Sequence, residues 1–150
     1  MIDGNEILKL MCKPMSDENT LNMMKVLGME VPLLDETYEL EEEVSSESSD
    51  EMISFEFEEI DGYSQDGDPC LSMIEFQKSK LASLPFNLEY TDGYETCCTN
   101  IGEEGDLKSD MDVTGRSWEL VVNEAEIEVI IYFKNEALES IKFIKIFENN

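Results

Sequence analysis

A chain of 150 residues that is 41% hydrophobic holds enough apolar material for one folded domain, which excludes a disordered acidic tail. Its 36 acidic residues against 10 basic ones leave a formal charge of −26, so nucleic acid and anionic membranes repel it and a cationic protein is the favoured partner. The absence of His removes the usual general base, nucleophile activator and transition-metal ligand, and the chain reads as a non-enzyme without metal or cofactor.

Taken in order, Asn5 to Cys12 spaces Ile7, Leu8, Leu10 and Met11 as a short helix that Pro14 interrupts. Ser16 or Asp17 caps a second helix carrying Leu21, Met23, Met24 and Leu27, and Gly28 ends it. Thr37 to Glu41 alternates as an edge strand, and Val44 to Asp50, polar and rich in Ser, reads as an exposed loop. Met52 to Ile60 sets Ile53, Phe55 and Phe57 against Ser54, Glu56 and Glu58, the alternation of a half-buried antiparallel strand. The turn Asp61 to Pro69 leads into a strand from Cys70 to Gln77. That turn fails the calcium-loop pattern at Tyr63, Gln65 and Ser72, so no metal is assigned to it.

The second half repeats the order. Thr91 or Asp92 caps a helix that ends at Gly102, 74 residues beyond Gly28, and the same offset sets Ile53–Phe57 on Ile127–Ile131. A shift of 67 aligns Leu71–Lys78 with Leu138–Lys145 through a shared L-x-x-I-x-F-x-K pattern. Three matches in one order predict a tandem arrangement: residues 1–80 form one helix-plus-sheet module with an acidic loop and residues 81–150 a second, sharing a core. The expected fold class is α+β, two antiparallel meanders that join edge to edge into one sheet. Strands are expected at Arg116–Val122, Glu126–Lys134 and Leu138–Glu148, with turns at Asn123-Glu-Ala125 and Lys134-Asn-Glu-Ala137. In the last two, Ile130, Tyr132, Ile144 and Ile146 sit opposite Val129, Ile131, Phe133 and Phe143, and apolar residues on both faces place these strands centrally or cover them on both sides. Trp118 reads as a core anchor.

Cys12, Cys70, Cys97 and Cys98 lack CxxC spacing, and with no export signal and no run of ~18 apolar residues the expectation is a cytoplasmic protein with free thiols. From Val26 to Gln77 the chain carries seventeen Asp and Glu and no basic residue. Within that span Glu41, Glu42, Glu43, Glu47, Asp50, Glu51, Glu56, Glu58 and Asp61 are the candidate partner-binding residues, a negative field displayed from a sheet.

Leu84-Pro-Phe-Asn-Leu88, the helix from Thr91-Asp92 to Ile101-Gly102, Trp118 and the final strands together resemble small intracellular immunity proteins of bacterial toxin systems. The tandem helix-plus-sheet plan also resembles beta-lactamase inhibitory proteins. The resemblance implies a cytosolic protein that blocks a cognate toxin, often a nuclease with a basic cleft, without catalysis. An acidic mimic of DNA that occupies a nucleic-acid-binding protein is the alternative that charge alone permits.

Overall fold

The computed structural model describes residues 1–34, 43–64, 67–107 and 114–147. They form three short α-helices, α1 (Gly4–Leu8), α2 (Glu18–Val26) and α3 (Tyr94–Ile101), and six strands. The strands are β1 (Val44–Glu47), β2 (Ile53–Glu58), β3 (Cys70–Phe76), β4 (Gly115–Val122), β5 (Ala125–Lys134) and β6 (Ala137–Lys145). All pairings are antiparallel, and the six make one open sheet in the order β1-β2-β3-β6-β5-β4. The chain is therefore α+β, and its two meanders do join edge to edge, along β3 and β6. Among the described residues no helix is long and apolar enough to cross a membrane.

Local chemistry explains most of the boundaries. The Asp3 carboxylate accepts from Asn5 N at 2.9 Å to start α1, and Asp17 accepts from Thr20 N at 3.1 Å to start α2. Gly28 at φ 72° and Gly102 at φ 100° take the left-handed conformation just past α2 and α3. The expected cap of α3 is not used. Gly93 occupies that position without a side-chain bond, while Asp92 accepts from Glu89 N at 2.7 Å and so holds the preceding turn.

In the second half the two hairpins turn on Asn123-Glu124 (φ 53° and 65°) and Asn135-Glu136 (φ 54° and 64°). Two positive φ angles define the turn whose twist matches the strands it joins, and Asn tolerates the first of them. β5 and β6 lie inside the sheet, the central placement expected from their two apolar faces.

The Ser-rich stretch expected as a loop is in its first half a strand. Val44 to Glu47 pairs residue by residue with Phe57 to Ser54. Polar Ser45 and Glu47 suit an edge strand with one solvated face, and composition alone could not distinguish that from a loop. The turn that follows is built from side chains: Ser48 Oγ and Met52 N both donate to Asp50, at 2.6 and 3.1 Å. The expected edge strand at residues 37–41 lies outside the described residues.

One core serves both halves. Ile7, Met11, Met24 and Leu27 from the helical segments pack in the same cluster as Phe55, Phe57, Phe76, Ile127, Val129, Ile141 and Phe143 from the strands. Trp118 is 2% exposed, its ring centroid 6.2 Å from that of Tyr94 on α3, and its Nε1–H donates to the Glu103 carbonyl at 2.9 Å. The N-terminal segment is tied to the second half as well as the first, since Asn123 Nδ2 donates to the carbonyls of Lys9 and Met11, both at 2.8 Å. Along the β3–β6 seam Ile74 faces Phe143, Phe76 faces Ile141, and Glu75 faces Lys142, its own counterpart under the shift 75 + 67 = 142. The extra residue at each register irregularity, Ser72 in β3 and Glu139 in β6, obeys the same shift. These irregularities match Glu56 with Tyr132, an offset of 132 − 56 = 76, so β2 and β5 correspond two residues away from the sequence alignment.

Candidate functional site

Helical segments cover one face of the sheet, and strand alternation fixes what stands on the other. Two cross-strand rows run over it: Ser45, Glu56, Met73, Ile144, Glu128, Glu119, and beside it Glu47, Ser54, Glu75, Lys142, Ile130, Ser117. Met73, Ile130, Tyr132 and Ile144 are buried or half-buried on this side and do not belong to the core cluster. Among the described residues this second face is the open one, and its middle is thus apolar. Carboxylates lie to both sides, with Glu43, Glu47, Glu56, Glu58 and Glu75 toward β1 and Glu119, Glu126 and Glu128 toward β4.

The acids on the β1 side work against one another. Burial pushes the Glu58 carboxyl up to about 7, and a hydrogen bond to Glu43 together with the charges of Glu43 and Glu56 adds to it. A carboxyl that donates a hydrogen bond to a neighbouring carboxylate, and feels its charge, holds its own proton more tightly. Burial also raises Glu56, followed by the charge of Glu43, while Lys142 opposes the rise. Lys142 stands near the seam with its Nζ 3.8 Å from Glu75. One ammonium among several carboxylates leaves the region negative, and an incoming cation there would meet an attractive field.

The candidates named from sequence separate into groups. Glu43, Glu47, Glu56 and Glu58 come together on the open face. Glu51 is exposed in the β1–β2 turn, at φ 64°. Asp50, in the same turn, is engaged internally, accepting from Ser48 Oγ at 2.6 Å, Ser79 Oγ at 2.7 Å and Met52 N at 3.1 Å. Burial works to raise its pKa, and these donors outweigh that and hold the carboxyl below its ordinary value. Asp61 lies beyond the opposite end of β2, roughly 20 Å along the strand. There it lines a cleft of about 470 Å³ with Glu59, Tyr63, Glu124, Lys145 and Phe147. Glu41 and Glu42 lie outside the described residues.

Sequence reasoning missed Met73, Glu75, Ile130, Ile144 and Lys142 as members of this face. The alternation of β3 and β6 contains the signal, but which strands neighbour each other had to be known before these residues could be placed beside Glu56. Among the described residues no three Asp, Glu, Cys or His side chains converge as the ligands of a metal would. The four cysteines are free, and burial pushes Cys12 up to about 11 and Cys97 up to about 12, which keeps both thiols protonated and weak as nucleophiles. No protein-family model, curated protein or solved structure matches the chain.

Proposed function

We propose that the chain is a stoichiometric inhibitor, an immunity protein that binds a basic bacterial toxin of the nuclease type through the open face of its sheet. One observation carries this reading: an apolar middle of Met73, Ile130, Tyr132 and Ile144, bordered by Glu43, Glu47, Glu56, Glu58, Glu75 and Glu128, has the anatomy of a protein interface. Six strands about 4.8 Å apart make the face roughly 25 Å across, which with its margins suits a standard interface of about 800 Å² per partner. The partner's Lys and Arg would relieve repulsion already present between Glu43, Glu56 and Glu58. Free thiols at all four cysteines fit action in the reducing cytoplasm. Mimicry of DNA ranks second, because a buried Met and half-buried Ile side chains in the centre of a face do not imitate a row of phosphates.

The test is kinetic. With the partner captured from the source cell, association should slow steeply as ionic strength rises, and Glu56→Gln/Glu58→Gln should lower the association rate while leaving the fold intact. Ile144→Asp, which places a charge in the apolar middle, should accelerate dissociation. An association rate indifferent to salt, or a complex that loses affinity on Glu126→Gln/Glu128→Gln and not on the first pair, would overturn the assignment.

A further inference from the structure

The two outer edges of the sheet differ. β1 is flanked by the segment after α2, where the Glu30 carbonyl accepts from Ser46 Oγ at 2.6 Å, and Ser49 N donates to the Leu27 carbonyl at 3.0 Å. Along β4, Ser117 exchanges both backbone hydrogen bonds with Asp106, at 2.8 and 2.7 Å, on the side away from β5. In an antiparallel ladder the direction of these groups alternates, so 117, 119 and 121 point N–H and C=O outward while 116, 118, 120 and 122 bond β5.

The chain preceding Asp106 leaves this edge. Gly105 sits against the Trp118 ring, where a Cβ would come within 2.5 Å of Cζ2, and the Glu103 carbonyl accepts from Trp118 Nε1. Among the described residues no backbone group meets Glu119 or Val121 on the outer side, and Val121 is 72% exposed. Such an edge is a template for another strand.

We propose that the outer edge of β4, Glu119 to Val122, receives an extended segment of a basic partner polypeptide as an added strand. The side chains define that segment. Its residue opposite Glu119 would lie on the open face in line with Glu119 and Glu128, and its residue opposite Val121 in line with Val121 and Glu126. Lys or Arg suits both positions, because the first adjoins exposed Glu119 and the second lies in the row of exposed Glu126. The residue between them falls beside half-buried Leu120 and suits Val or Ile. A second copy of the chain is the poorer occupant, since it brings its own Glu119 and a charge of −26 to the same edge. The surface is separate from the acids of β1–β3 and stands without them.

An octapeptide alternating Lys and Val is the probe, with alternating Glu and Val as its control, and amide hydrogen exchange of the full chain is the readout. The Lys–Val peptide should slow exchange at Glu119 and Val121 by about tenfold or more, in the wild type and equally in Glu56→Gln/Glu58→Gln, and the Glu–Val peptide should not. Val121→Pro removes an outward N–H that β5 does not use, and should abolish the protection at Glu119. Val121→Lys keeps every backbone donor but sets a positive charge in the slot, and should abolish it too even where proline disturbs the hairpin. Absence of slowing, equal slowing by the acidic peptide, or protection that survives Val121→Lys would overturn the proposal. Protection lost in Glu56→Gln/Glu58→Gln would also overturn it, by placing the peptide on the open face instead.

Discussion

Replacing Glu58 by glutamine should stabilise the protein at pH 8 and change its stability little at pH 5. In the folded chain this carboxyl titrates at about 7, against 4.5 for an unperturbed Glu, because burial and then the hydrogen bond and charge of Glu43 disfavour its ionised form. The folded state thus binds a proton more tightly than the unfolded state. The favourable contribution is fully present below about 4.5 and is lost as pH rises through about 7, so between those values this group makes stability fall with increasing pH. Unscreened, the difference would be worth roughly 3 kcal/mol. Glu58 is only half-buried on a solvated face, and screening reduces the figure to about 1 kcal/mol. A glutamine side chain carries no charge at any pH, so at pH 8 the Glu58→Gln protein should gain that ~1 kcal/mol, a rise in Tm of about 2–4 °C for a chain of this size. Urea denaturation of both proteins at pH 5, 6.5 and 8 measures it, and the difference between them isolates Glu58 from the other carboxylates. A variant that is less stable than the wild type at pH 8, or a difference that does not change with pH, would refute the reasoning.

Asp50→Ala should cost about 1–3 kcal/mol, because the donors Ser48, Ser79 and Met52 N lose their shared acceptor in the β1–β2 turn; chemical denaturation checks this, and partner affinity measured below the transition should not change. Gly4→Ala should destabilise by about 1–3 kcal/mol, since the added Cβ would come within 2.2 Å of the Ser83 carbonyl oxygen and 2.8 Å of Leu84 C, backbone atoms that cannot rotate away; thermal unfolding against the wild type reads it. Trp118→Phe keeps most of the buried area but loses the donor to Glu103, which should cost about 1–2 kcal/mol in a denaturant titration and increase exchange at Gly105 and Asp106.

The local elements are legible in the residues alone. Ile53, Phe55 and Phe57 alternating with Ser54, Glu56 and Glu58 fixed β2 and both its faces; Asp17 and Gly28 bracketed α2; and Asn123-Glu124 and Asn135-Glu136 marked the hairpins, because each of these signals lies within a few neighbouring residues. The same alternation brought Glu56 and Glu58 outward, since a period of two admits no other side once Phe55 and Phe57 are buried. Sequence reasoning misjudged Val44–Glu47 and the cap of α3, where polar residues satisfy a strand edge or a turn as readily as a loop or a helix end. Adjacency, by contrast, follows from the packing of the whole chain. Met73 reaches Ile144, Glu75 reaches Lys142 and Glu119 is left at a rim because β3 pairs with β6 and, among the described residues, β4 has one neighbouring strand and beyond it only the bridge at Ser117, contacts between residues as far apart as 73 and 144. No local pattern specifies which strand edge meets which, since every strand offers the same row of N–H and C=O groups; the choice falls to burying one continuous core beneath the whole sheet.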